Sequence, residues 1–338
     1  MIRRTIDEPL IFAPGESRAL GLAASERAGI TLGALEERRY EGGEFKLRPL
    51  QSVRDRVVFV VQSLAETSEA PIAQRLVRLL FLIHGLRDAG ASRVIAVLPY
   101  LAYARKDRRT KPRDPVYTRY VAQQLEAAGT DRIIALDVHN ASALDNAFRI
   151  PVDHLSALPM MAAHFIQNLP HGKLAVASPD IGGIKRAQLF RELLERKTGH
   201  DVELVFVEKR RVGAVISGGT VIGDASGRAV IVLDDLCASG ATLIKAAQAL
   251  HAAGAASVHA TVTHCPIEAG LAALAAAAEI AQVVVTDSVG YAPSTASLGP
   301  RGKVKILPCG ALFGCAIARM LSGDPLAPLA EHWPPPTA

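Results

Sequence analysis

Short runs of aliphatic and β-branched residues alternate along this chain with stretches whose apolar positions recur at helical spacing. Residues 57–61 (VVFVV) precede a helix-period stretch at 72–89, residues 93–98 precede another at 117–128, and 133–137 follow. The rhythm then restarts, with candidate strands at 174–178, 202–207, 229–233, 257–263 and 283–285. Candidate helices lie at 185–196 and at 243–253, the second stopped by Gly254. Nearly continuous apolar strands between amphipathic helices predict an α/β fold whose mainly parallel sheets are covered on both faces. Two similar halves are expected, joined near residues 151–159: an N-terminal domain at 1–155, a C-terminal domain at 156–325 and a Pro-rich tail at 326–338. The closing Trp333-Pro334-Pro335-Pro336-Thr337-Ala338 is expected to fray, because proline cannot donate a backbone hydrogen bond.

Length and composition support a folded chain with a sizeable core. It has 338 residues, of which 49% are hydrophobic and 21% charged, enough for two globular units. The net charge of +5 and pI near 9.1 suit nucleic acid or small polyanions alike. Basic residues bunch at 105–111 and 209–211, and aromatic residues, 5% of the chain, do not interleave with them. Single-stranded nucleic acid binding needs such stacking residues, so no nucleic-acid partner is expected. Four cysteines without a CxxC pair, and a start lacking an apolar secretory core, point to a reducing cytoplasm. The alanine-rich stretch at 269–281 contains Glu279 and falls short of the roughly 20 residues that span a bilayer, so no membrane association is expected.

Candidate chemistry concentrates at 229–242, AVIVLDDLCASGAT. A buried strand would end in Asp234 and Asp235, and a turn of small residues would then offer backbone N–H groups and the Ser239 and Thr242 hydroxyls at a helix N-terminus, where the dipole favours an anion. Adjacent carboxylates accept hydrogen bonds from vicinal hydroxyls, and a phosphate held just beyond them completes the outline of ribose 5-phosphate. Strand-turn-helix grammar alone leaves two other readings open, a capped turn and an unrelated metal site.

Several stretches in order resemble the ribose-phosphate diphosphokinase family, which has the type I phosphoribosyltransferase fold. They are Arg39-Tyr40-Glu41-Gly42-Gly43-Glu44, the run from Pro99-Tyr100 to Asp107-Arg108, Asp137-Val138-His139, Ser178-Pro179-Asp180-Ile181-Gly182-Gly183, Lys209-Arg210-Arg211 and the Asp234–Thr242 loop. The resemblance implies Mg2+-dependent transfer of the diphosphoryl group of ATP to ribose 5-phosphate. It assigns Lys209 and Arg211 to catalysis, Tyr40, Glu44, Arg105, Lys106 and Asp107 to ATP, and His139 and Asp180 to magnesium. Asp234, Asp235, Ser239, Gly240, Ala241 and Thr242 fall to ribose 5-phosphate. It also implies a homo-oligomer with the ATP pocket shared between subunits.

Four positions depart from the family pattern. Gly42 replaces an Asp or Asn that helps read adenine, Lys106 replaces Gln beside the triphosphate, Ala238 replaces an acid three positions after the Asp pair, and Ala241 replaces a glycine close to the phosphate. Two competing readings follow. One is a phosphoribosyltransferase, which leaves the Arg105 segment, His139 and Lys209 without a common purpose. The other is a catalytically silent homologue that binds nucleotide and regulates an active partner.

Overall fold

A computed structural model describes residues 8–67, 70–168, 172–208, 211–212, 215–216, 219–290 and 302–334. The first half runs β1 (Leu10–Phe12), α1 (Arg18–Ala28), β2 (Leu35–Arg39), β3 (Phe45–Pro49), β4 (Val57–Val61), α2 (Ile72–Asp88), β5 (Arg93–Leu98), α3 (Tyr117–Ala127), β6 (Arg132–Leu136), α4 (Ala141–Ala147) and β7 (Val152–Leu155). The second half comprises α5 (Leu158–Asn168), β8 (Leu174–Ser178), α6 (Ile184–Thr198), β9 (Val202–Glu208), β10 (Arg211–Val212), β11 (Val215–Ile216), β12 (Thr220–Ile222) and β13 (Ala229–Leu236). It continues through α7 (Ala241–Ala252), β14 (Ser257–His264), α8 (Glu268–Ala276), β15 (Gln282–Thr286), β16 (Val304–Leu307) and α9 (Gly310–Ser322).

Strands β1, β4, β5, β6 and β7 form one sheet in that order, and every pairing in it is parallel. The second sheet has the order β12-β9-β8-β13-β14-β15-β16. Only its edge strand β12, paired with β9, runs antiparallel. The central strands are buried along nearly their whole length, which is why they read as unbroken apolar runs.

In the second sheet the chain first moves outward from β8 to β9, then returns to build β13 to β16 on the other side. The reversal between β8 and β13 is a topological switch point, and in such sheets ligands bind outside the carboxyl ends of the flanking strands. Ser178 ends β8 and Asp234-Asp235-Leu236 end β13.

The halves share a core. One apolar cluster joins Ile11, Phe59 and Ile134 of the first half to Val176, Phe190 and Ile317 of the second. Helices α1 and α9, from opposite ends of the chain, pack against each other. Their approach is close enough that a Cβ on Gly314 would meet the Ala24 carbonyl oxygen at 2.5 Å.

Two details differ from the sequence expectation. The segment expected to join the halves contains β7, an edge strand of the first sheet; Asp153 and His154 break its apolar pattern, so it does not read as a strand. The expected Pro-rich tail begins packed, with Leu326 and Trp333 against the shared core and Leu329 buried in it, burial that stabilises it where proline lacks ladder bonds; residues 335–338 of the stretch expected to fray lie outside the described residues.

Candidate active site

The two sheets meet with the carboxyl ends of β5 and β6 facing those of β8 and β13. Between them lies a cleft of about 940 Å³, lined by Arg105, Lys106, Asp107, His139, Asp180, Asp234, Asp235, Ser239, Gly240 and Thr242 among others. These sites, singled out from four separate stretches of sequence, thus converge on one space.

From the second half, β13 carries Asp234 and Asp235 to the cleft edge. Gly240 then adopts φ 78° and caps α7, a left-handed turn natural to glycine. The turn lies tight against α8, since a Cβ on Gly270 would sit 2.1 Å from the Ala238 carbonyl oxygen. Ala241 opens α7 with its side chain exposed and outside the cleft lining.

Next to this turn, Ser178 Oγ donates to the Asp180 carbonyl oxygen at 2.6 Å, closing the β8 turn that presents Asp180. A side chain at Gly183 would displace this hydroxyl, because a Cβ would lie 2.6 Å from Ser178 Oγ.

From the first half, β6 leads into Asp137, whose φ of 38° is unusual for a residue with a side chain. Contacts hold it there: Asp137 Oδ2 accepts from Ala157 N–H at 3.0 Å and from the Thr263 hydroxyl at 2.6 Å. Two residues on, His139 Nδ1 donates to Asp235 Oδ2 at 2.8 Å across the two halves. The Asn140 side-chain amide donates to Asp107 Oδ2 at 2.8 Å, while its oxygen caps α4 by accepting from Ala143 N–H.

Arg186, in the first turn of α6, lies 2.9 Å from Asp235 Oδ1 and 3.9 Å from Asp234 Oδ1. The sequence reading placed the helix but passed over this residue. The signal was present: a cation in the first turn of a helix opposes the dipole and needs nearby carboxylates. Asn140, likewise missed, is marked by its position just before a helix start.

The two aspartates are electrostatically unequal. Burial works against ionised Asp235, but the His139 hydrogen bond and the Arg186 guanidinium outweigh it and hold that carboxyl below the usual range. Burial, reinforced by the neighbouring Asp235 carboxylate, pushes Asp234 up to about 8. Asp235 therefore carries the charge and Asp234 the proton near neutrality. His139 is raised by its bond to Asp235, against the opposing effect of burial.

Other predicted residues lie elsewhere. Tyr40 and Glu44 sit on the β2–β3 hairpin, where Tyr40 N–H donates to the Glu44 carbonyl oxygen at 2.8 Å; neither lines the cleft, and Tyr40 is 47% exposed. Arg211 falls in β10, and Lys209 lies outside the described residues.

A family model for the N-terminal domain of ribose phosphate pyrophosphokinase matches residues 10–129, and a phosphoribosyl synthetase-associated domain matches residues 212–330. A ribose-phosphate pyrophosphokinase of Brucella melitensis is 36% identical over 322 residues, spanning 95% of this chain and 99% of the relative. The chain belongs to the ribose-phosphate pyrophosphokinase family. Another such pyrophosphokinase, from Fusobacterium nucleatum, is 33% identical over 94% of this chain and 97% of its own length. The crystal structure of phosphoribosylpyrophosphate synthetase from Mycobacterium smegmatis superimposes with a TM-score of 0.83 at 27% identity, covering 94% of this chain and all of that one. Both sheets are accordingly those of phosphoribosyltransferase-like α/β domains.

The cleft residues that could hold a metal ion are Asp180 and His139, both in its lining. Among the described residues no group of three or more His, Cys, Asp or Glu side chains is arranged to hold a metal ion. Magnesium is commonly bound through one or two carboxylates plus substrate phosphates and waters, an arrangement to which Asp180 would contribute the carboxylate.

Proposed function

We propose that this chain transfers the diphosphoryl group of ATP to the anomeric hydroxyl of ribose 5-phosphate, giving 5-phosphoribosyl 1-diphosphate and AMP, with Mg2+ as cofactor. The observation that carries this reading is the single cleft in which the Asp234–Thr242 turn of one half faces Arg105, Lys106 and His139 of the other.

The α7 N-terminus and the Ser239 and Thr242 hydroxyls receive the 5-phosphate, and the Asp pair accepts from the ring hydroxyls. Asp235, kept ionised by His139 and Arg186, is the permanent acceptor. Arg105 and Lys106 pair with the triphosphate, and Asp107, oriented by Asn140, fixes that segment. Phosphoryl transfer asks chiefly for alignment and charge neutralisation. A bound Mg2+, held by Asp180 and His139, would supply part of that neutralisation at the phosphate oxygens. Lys209 and Arg211 supply further positive charge to the transferring group, an assignment supported by their match to the family's Lys-Arg-Arg stretch.

The exposed Tyr40 and Glu44 complete the nucleotide pocket of a second copy, so the active form is a homo-oligomer. We place the division between domains at 155/156, between the end of β7 and the start of α5. A reducing cytoplasm is the proposed setting, supported by four buried free thiols. Among the described residues no helix is long and apolar enough to cross a membrane.

The test is formation of AMP and 5-phosphoribosyl 1-diphosphate from ATP, ribose 5-phosphate and Mg2+, with Lys209→Ala as the paired control. Product from the wild type and at least about 100-fold less kcat in the variant are expected, the scale on which loss of a transition-state charge partner acts. A folded wild-type protein that binds ATP and forms no product would favour the regulatory reading that Ala238 motivates.

A further inference from the structure

His264 ends β14 and is 4% exposed. Its ring contacts segments from both halves. Nε2 donates to the Leu136 carbonyl oxygen at the end of β6, at 3.0 Å, and Nδ1 accepts from the Ser288 hydroxyl at 2.8 Å. The edge of the imidazole meets Tyr100, centroid to centroid 5.2 Å, where the chain enters the Arg105 segment. Its own carbonyl oxygen accepts from Cys237 N–H at 2.8 Å, inside the sugar-phosphate turn.

This single residue therefore contacts three of the four chain segments that converge on the cleft: the one bearing Arg105–Asp107, the one bearing His139, and the one bearing Asp234–Thr242. It is absent from the lining of that cleft. Instead it lines a smaller cavity of about 80 Å³ with Tyr100 and with Arg105, His139 and Asp235, three residues that also line the cleft.

A neutral imidazole has one donor and one acceptor, matching one carbonyl and one hydroxyl. Burial pushes its pKa down and so keeps it neutral. An ordinary core histidine bonds within its own sheet; this one reaches the other sheet three residues before His139. Its neighbour Thr263 makes a second crossing, to Asp137. Between them the two bonds fix how far β6 can slide or tilt against β13, and hence whether His139 meets Asp235.

We infer that His264 is a positioning residue that holds the two halves of the active site in register. The inference rests on the diphosphoryl-transfer reading for its kinetic consequence, because the nucleotide and sugar sides of that reaction lie on different halves.

His264→Asn and His264→Gln separate the roles of the two nitrogens. The Asn amide occupies the position of Nδ1, keeping Ser288 and losing Leu136, whereas the Gln amide reaches the position of Nε2 and restores the donor to Leu136. A misplacement near 1 Å costs about 100-fold in rate, so kcat of folded His264→Asn is expected to fall by about that factor. KM for ribose 5-phosphate should stay within about threefold, since its turn lies wholly on the second half, and His264→Gln should recover about tenfold of the lost kcat. Amide hydrogen exchange across residues 134–139 should accelerate in the Asn variant and not in the Gln variant.

The exchange readout needs no turnover. A wild type that forms no product would overturn the proposed function and leave exchange to decide the role of His264. Unchanged kcat in His264→Asn, or equal exchange in the two variants, would overturn the positioning role. Should His264→Asn fail to fold, Thr263→Val removes the second crossing with little change in shape; there a fall in kcat of about tenfold with faster exchange supports the inference, and no change in either refutes it.

Discussion

Asp234→Asn should make the protein more stable in alkali. An unfolded aspartate titrates near 4, whereas burial first, and the Asp235 charge second, push Asp234 up to about 8 in the folded chain. Between those values the native state holds a proton that the unfolded state has released. The stabilisation tied to that proton is fully present below about pH 4 and is lost as pH rises through about 8, with a slope of up to about 1.4 kcal/mol per pH unit. Over the whole window the ceiling is about 6 kcal/mol. Water in the cleft reaches the Asp234 side chain, 22% exposed, and screening of that kind reduces the expected effect to about 3 kcal/mol. Asparagine has no proton to lose. Thermal unfolding followed by circular dichroism in metal-free buffer should therefore show the variant gaining on the wild type by several degrees in Tm between pH 5 and pH 9. His139, also raised, loses stabilisation in the same direction in both proteins, so the difference between them isolates Asp234. Melting curves that stay parallel across this pH range would refute the unequal sharing of charge between the two aspartates.

Arg186→Ala removes the guanidinium 2.9 Å from Asp235 and leaves two adjacent carboxylates to share one cleft wall. Breaking a buried pair in this way costs about 3 kcal/mol of folding stability, read as a lower Tm, and KM for ribose 5-phosphate should rise at least about tenfold, with partial recovery of both in Arg186→Lys; a KM within threefold of wild type would exclude Arg186 from the site. Gly270→Ala places a methyl group where the Ala238 carbonyl oxygen lies, and overpacking of this kind costs about 1–3 kcal/mol. Steady-state kinetics should show KM for ribose 5-phosphate rising about tenfold with KM for ATP unchanged; equal effects on both substrates would show that the strain is not confined to the turn.

What was legible in the sequence depended on whether the stabilising interactions were local. Strands β4, β5 and β8 coincide with apolar runs because burial on both faces leaves no polar position to interrupt the pattern. The β2–β3 hairpin escaped that logic. Its strands, LEERR and FKLRP, carry little apolar alternation, and ion pairs from Glu36 to Arg38, Lys46 and Arg48 run along them. The site was visible as motifs, yet motifs do not say which side chains face one another. His139 and Asp235 are 96 positions apart, and only the stacking of two sheets explains why one hydrogen-bonds the other.

The departures from the family pattern change meaning in this setting. Ala241 looked like a methyl group intruding on a phosphate, but the left-handed turn is made by Gly240 and the exposed Ala241 lies outside the cleft lining, so its methyl group does not fill the cleft. Ala238 is different in kind. It lines the cleft without a carboxylate, and no neighbouring acid replaces it in the turn, where Cys237, Ser239 and Gly240 flank it. Within the Asp234–Thr242 turn the acidic character therefore rests on Asp234 and Asp235, and Asp234 is protonated near neutrality. That concentrates the burden on Asp235 and on the two donors that keep it ionised, the Arg186 guanidinium and the His139 ring. Loss of Arg186 or His139 should accordingly be more damaging here than in a relative that retains the third acid.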